Sequence, residues 1–123
     1  MVFKHFISGT IPSKKNSRIT NTKTGRTFPS KKFQQWHRTQ MLELFSVNLP
    51  SPFLHCQIEL DIRYPTLAVA DNTNKAESVM DLLVDAGILL DDNWKVVPRL
   101  VLTGRHDKQK PGCFITITSM ETT

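Results

Sequence analysis

The chain has 123 residues, 39% hydrophobic and 22% charged, with a formal net charge of +5 at pH 7. That length suffices for one buried core and reads as a single domain, residues 1–123. No apolar run reaches the roughly 18 residues of a membrane span, and Met1-Val-Phe-Lys-His-Phe lacks the long apolar segment of a signal peptide, so a cytoplasmic protein is expected.

Residues 2–11 read as a first strand ending at Ile11-Pro12. Residues 13–30 are polar and loop-like, with Thr24-Gly25 read either as the close of a hairpin or as a mobile tip. A helix is predicted over 30–46, with Ser30 as N-cap and an apolar face of Phe33, Trp36 and Leu44, edged by Met41 and Phe45. Asn48-Leu-Pro-Ser-Pro52 ends it. Ile58, Leu60, Ile62 and Tyr64 then alternate with Gln57, Glu59, Asp61 and Arg63. Such alternation marks a strand with one buried and one solvated face, hence an antiparallel or mixed sheet. A second helix is predicted over 74–86, with Ala76, Val79, Met80, Leu83 and Ala86 inward and Gly87 closing its C-terminus. Residues 94–104 and 113–119 read as two more strands, joined by the turn-like Asp107-Lys-Gln-Lys-Pro-Gly112. Pro98 cannot donate to a ladder, so its strand is expected at an edge or with a bulge. The order β-α-β-α-β-β predicts an α+β domain, a mixed or antiparallel sheet with two helices. Cys56 and Cys113 lie in apolar strand-like runs and are expected to be buried free thiols, and with four scattered histidines nothing here suggests zinc.

Charge is divided unevenly. The first 42 residues hold nine Lys or Arg and no Asp or Glu, whereas the remaining 81 hold seven basic and eleven acidic residues. One part can attract a polyanion while the other concentrates carboxylates. A solvated basic face without a partner is the plainer alternative. The acidic part is organised. Asp71-Asn-Thr-Asn-Lys-Ala-Glu-Ser-Val-Met-Asp81 opens the second helix, and Asp91-Asp92 follows just past it, at the start of the next strand. Clustered carboxylates are what a hard cation such as Mg²⁺ takes, and a basic chain aims such a site at phosphate. Each residue also has a structural reading. Asn74 with Glu77 matches a capping box, Asp71-Asn72 a loop tip and Asp91-Asp92 a turn. Glu77 and Asp81 share a helix face, where like charges repel unless a cation intervenes.

Residues 71–92 resemble the signature of the RusA-like Holliday junction resolvases, a family common in prophages. That pattern runs Asp-x-Asp-Asn, a Lys-containing helix with a central Asp, Ala-Gly, then Asp-Asp before a strand. It falls here on Asp71, Asp81, Ala86-Gly87 and Asp91-Asp92. Ile11-Pro-Ser-Lys-Lys-Asn-Ser-Arg18 is similar to the family's opening Pro-Ser segment. Two positions depart. The second motif aspartate is Thr73, and the usual helical lysine falls on Glu77, with this chain's lysine two positions earlier at Lys75. Positions two apart on a helix point about 200° apart, so Lys75 is no simple replacement.

The resemblance implies a Mg²⁺-dependent endodeoxyribonuclease that resolves Holliday junctions by paired phosphodiester hydrolysis, working as a homodimer on branched DNA with no membrane partner. Asp71, Glu77 and Asp92, with Asp91, are the expected metal cluster, Glu77 replacing the aspartate missing at Thr73. Lys75 is the expected phosphate contact, and Thr73, Asn74 and Asp81 are supporting residues. Lys14, Lys15, Asn16, Arg18, Lys31, Lys32 and Arg38 would hold the DNA backbone. The alternatives are a catalytically impaired nucleic-acid binder of the same fold, a metal nuclease for another branched or flap substrate, and a structural protein whose acids only cap helices.

Overall fold

The computed structural model describes residues 1–14, 18–49 and 51–121. Its elements in chain order are β1 (Val2–Ser8), β2 (Arg18–Thr20), β3 (Thr27–Pro29), α1 (Lys31–Leu44), β4 (Cys56–Tyr64), α2 (Asn72–Asp85), β5 (Arg99–His106) and β6 (Gly112–Ser119). Two helices and a four-stranded mixed sheet make this the expected α+β architecture.

The sheet order is β1-β6-β4-β5, with β6 antiparallel to β1 and β4, and β5 parallel to β4. The alternation in β4 puts Ile58, Leu60 and Ile62 at 1% exposure or less, beside Ile115 and Ile117 of β6, while Glu59 on the opposite face is exposed. The parallel pairing follows from connectivity. Chain leaving β4 passes through α2 before returning as β5, and a parallel neighbour needs such a crossover. α2 buries Ala76, Val79, Met80, Leu82 and Leu83 in the one core cluster, as its apolar spacing requires. Phe33 and Leu44 of α1 are buried too, and Ser30 caps α1 by accepting from the Phe33 N–H at 3.2 Å. Both cysteines are buried and free, and burial pushes the Cys113 thiol up to about 12. Among the described residues no helix is long and apolar enough to cross a membrane.

Several boundaries differ from the sequence expectation. β1 ends at Ser8, not Ile11, because Gly9 turns the chain at φ +88° and donates its N–H to the Pro111 carbonyl at 2.9 Å. The 13–30 stretch is not all loop: β2 and β3 pair as a hairpin, with Gly25 at φ +70° in its turn. Phe45 is not on the apolar face. It ends α1 as C-cap and is 80% exposed. α2 begins at Asn72, two residues early, with Asp71 as its N-cap. The Asn74–Glu77 capping box therefore does not form. Asn74 is already inside the helix, and its amide donates to Asp71 Oδ2 at 3.3 Å. The strand expected at 94–104 runs from Arg99 to His106, since residues 91–98 are taken up by turns. It is an edge strand, with Pro98 just before it.

Candidate functional site

Three links bind the N-terminal segment to α2. Ser78 Oγ donates to the Pro12 carbonyl at 2.7 Å and accepts from the Lys14 N–H at 3.1 Å. Lys75 Nζ donates to the Ile11 carbonyl at 2.6 Å. Lys14 Nζ pairs with Asp81 Oδ2 at 3.1 Å. Lys75, Ser78 and Asp81 follow at three-residue steps, so one strip of the helix meets residues 11–14. Lys75 is half-buried. Desolvation, and then the like charge of Lys32, hold its ammonium below the usual lysine range. Its carbonyl contact gives it a positioning role, and Lys14 is held in an ion pair rather than presented outward as a simple phosphate contact.

Beside this strip lies a cleft of about 470 Å³ between α1 and α2, bordered by Lys14, Phe33, His37, Arg38, Asp81 and Asp85. His37 Nε2 meets Asp85 Oδ2 at 2.8 Å across it. Lys31, Lys32 and Arg38 are exposed on α1. Lys15, Asn16 and the Arg18 side chain lie outside the described residues.

The carboxylates fall into two groups. Asp91 and Asp92 share a turn in which Asp91 accepts from the Asp92 N–H at 2.7 Å and from the Asn93 amide at 3.2 Å. Asp92 is at the surface but partly shielded by this turn. The shielding, then the hydrogen bond and charge of Asp91, push its carboxyl above the usual range, with the Asp81 charge adding to the effect. Asp81 thus lines the cleft and is near enough for its charge to act on Asp92. Asp71 belongs elsewhere. It is exposed at the start of α2, ten residues from Asp81 and so about 15 Å away along the helix. Its charge is felt by Tyr64, whose hydroxyl donates to Asn72 Oδ1 at 2.6 Å. Gly104 of β5 permits this docking, since a Cβ there would lie 2.5 Å from Asn72 Oδ1. Thr73 and Glu77 are exposed on the outward side of α2.

Asp71, Glu77 and Asp92 are consequently not gathered at one point. Among the described residues no three His, Cys, Asp or Glu side chains stand as a group that could hold a metal ion. The pair Asp91–Asp92 is nonetheless all-oxygen and crowded with like charge. Mg²⁺ keeps several waters and takes one or two carboxylates plus substrate phosphates, so this pair fits it.

Sequence reasoning missed Ser78, His37 and Asp85. Ser78 is 0% exposed within a run of buried apolar residues, Ala76, Val79 and Met80, so a small polar residue among them was its signal. His37 and Asp85 are 48 residues apart and carried none. In comparisons with known proteins, no protein-family model and no curated protein sequence matches the chain.

Proposed function

We propose that the chain is a Mg²⁺-dependent, structure-specific endodeoxyribonuclease that hydrolyses phosphodiester bonds in branched DNA, with the four-way junction as substrate and a homodimer as the working unit. The observation that carries this reading is that Asp91 and Asp92 share one hydrogen-bonded turn, and that the charge of Asp81, which lines the cleft with Lys14 and Arg38, is felt at Asp92. The resemblance of residues 71–92 to the RusA-like signature supports the same chemistry.

Asp91 and Asp92 would hold the ion, with its remaining positions left to water and substrate phosphate. When bound, Mg²⁺ supplies polarisation of the phosphoryl oxygen and a more acidic water. The chain's own groups do the rest. The Asp92 N–H and the Asn93 amide orient the Asp91 carboxylate. Lys14 offsets the Asp81 charge and keeps it from adding further repulsion to the pair. Lys31, Lys32 and Arg38 hold phosphates without reading sequence. Lys75 pins residues 11–14 so that Lys14 reaches Asp81. A two-fold junction needs two cuts, which a C₂ dimer provides.

A catalytically impaired binder of the same fold is the second reading. It is favoured by Thr73 at the motif position and by Asp71, which stands about 15 Å from Asp81 along α2. The test is cleavage of a four-way junction beside a linear duplex, with Mg²⁺ and with EDTA. The nuclease reading expects cuts in the junction only with Mg²⁺, lost in Asp92→Asn while junction binding persists. Binding without cleavage under any metal condition establishes the binder, and wild-type cutting by Asp92→Asn refutes the metal assignment.

A further inference from the structure

Trp94 stands two residues beyond Asp92 and is 74% exposed. A tryptophan is among the largest apolar surfaces a chain can present, so leaving it in water forgoes a burial that the rest of this core exploits. Nor is the residue on a loose loop. Asn93 Oδ1 accepts from the N–H groups of Lys95 and Val96 at 3.0 and 3.1 Å. The Asn93 carbonyl accepts from the Val97 N–H at 2.8 Å, and His55 Nδ1 meets the Lys95 carbonyl at 2.9 Å. Val96 and Val97 are buried just behind it. The turn is thus anchored on both sides, and the indole is held outward in advance of any contact. The Lys95 ammonium lies 5.8 Å from the ring centroid, so a cation accompanies the aromatic surface.

We infer that Trp94 is a stacking platform for an unpaired nucleobase, with Lys95 meeting the phosphate of the same strand, directly beside the Asp91–Asp92 pair. The inference rests on the nuclease reading for its placement, but its physical basis is the rigid exposed ring and its cation. The charge pattern selects the occupant. Asp91 and Asp92 repel a bare phosphate backbone, so the part of a nucleic acid best able to approach here is the uncharged base. Stacking on an aromatic ring tolerates any base, because each has a π-face. Opening a base pair at a branch point frees a base, and Trp94 would hold it while Lys95 meets the adjacent phosphate.

The chain has two tryptophans, so Trp36→Phe leaves Trp94 as the sole reporter. That variant is titrated in EDTA with a short single-stranded oligonucleotide carrying a fluorescein label, whose anisotropy reports binding independently. Stacking predicts that Trp94 emission is quenched in step with the anisotropy rise. Trp94→Ala should weaken single-strand binding by about 5- to 150-fold, and Trp94→Phe should restore most of it. If Trp36→Phe folds poorly, the difference in quenching between wild type and Trp94→Phe carries the same information. Binding with unchanged Trp94 emission, or equal affinity in Trp94→Ala, overturns the platform and leaves the nuclease reading standing. Quenching that follows protein concentration without DNA assigns the ring to a second copy and also overturns it. No binding of single strands or junctions by any form overturns both readings.

Discussion

Ser78→Ala removes one oxygen from the centre of the α2 contact with residues 11–14. The site is fully buried and the change is nearly isosteric, so it leaves little cavity. What it removes is the partner of two backbone groups. The Pro12 carbonyl, in a buried residue, loses its 2.7 Å donor, and an unsatisfied buried acceptor costs about 1–3 kcal/mol. The Lys14 N–H loses its 3.1 Å acceptor but is only half-buried, so water recovers part of that loss. The sum is about 2 kcal/mol. With a urea m-value of about 2 kcal/mol/M, the unfolding midpoint should fall by about 1 M. Ser46→Ala is the control. Its Oγ donates to the Glu43 carbonyl at 2.8 Å in exposed surroundings, and its removal should stay within about 0.5 kcal/mol. Urea unfolding followed by far-UV circular dichroism measures both. Equal midpoints for Ser78→Ala and Ser46→Ala would refute the claim that this buried hydroxyl ties the N-terminal segment to the helix.

Asp92→Asn should raise the stability of the metal-free protein at neutral pH. A carboxyl whose folded pKa lies above its unfolded value destabilises the fold as pH rises through that range, so the gain should vanish in acid, where Asp92 is protonated in both states. Thermal melts from pH 3 to pH 8 check it, and a gain that persists at pH 3 contradicts the electrostatic cause. Replacing Lys31, Lys32 and Arg38 with Ala should lower affinity for every duplex alike and flatten the log–log salt dependence by about 0.9 for each phosphate the helix no longer neutralises. An unchanged slope in a salt titration removes α1 from the DNA surface. Light scattering should find a homodimer, alone or with junction DNA, because β5 leaves an open edge among the described residues. A monomer under both conditions counts against paired cutting.

The sheet face and both helices were legible because each has a local cause: alternation in β4, and three- and four-residue spacing in α1 and α2. The Gly25 turn was visible, but the short strands it joins, three residues each, carry too little pattern to be read. The strand order was not. Whether β5 lies beside β4 or β6 depends on where α2 returns the chain, and no local pattern states that. Boundaries moved where tertiary contacts displaced propensity. Asn72 entered the helix because the Tyr64 hydroxyl and Gly104 receive it, and 94–98 left the strand because the Asn93 side chain captures two N–H groups. For the site, the acidic residues were visible, but their grouping was not. Asp81, expected only to support, lines the cleft and is paired with Lys14, which arrives from 67 residues away.

The position of β6 bears on how the molecule is made. Among the described residues it is the last strand in sequence, yet it lies inside the sheet and is the one neighbour of β1 there. Val2 pairs with Thr118. On a ribosome adding about 5–20 residues each second, β1 therefore waits on the order of 10 s for its partner. During that wait Ile7 and Phe3, destined for the interior, have no strand to cover them. The β4-α2-β5 unit can assemble earlier, but it too presents the bare flank of β4 that β6 will later occupy. Nascent chains should accordingly bind holdase chaperones until Gly112–Ser119 leaves the exit tunnel, and a stall before that point should leave β1 open to proteases.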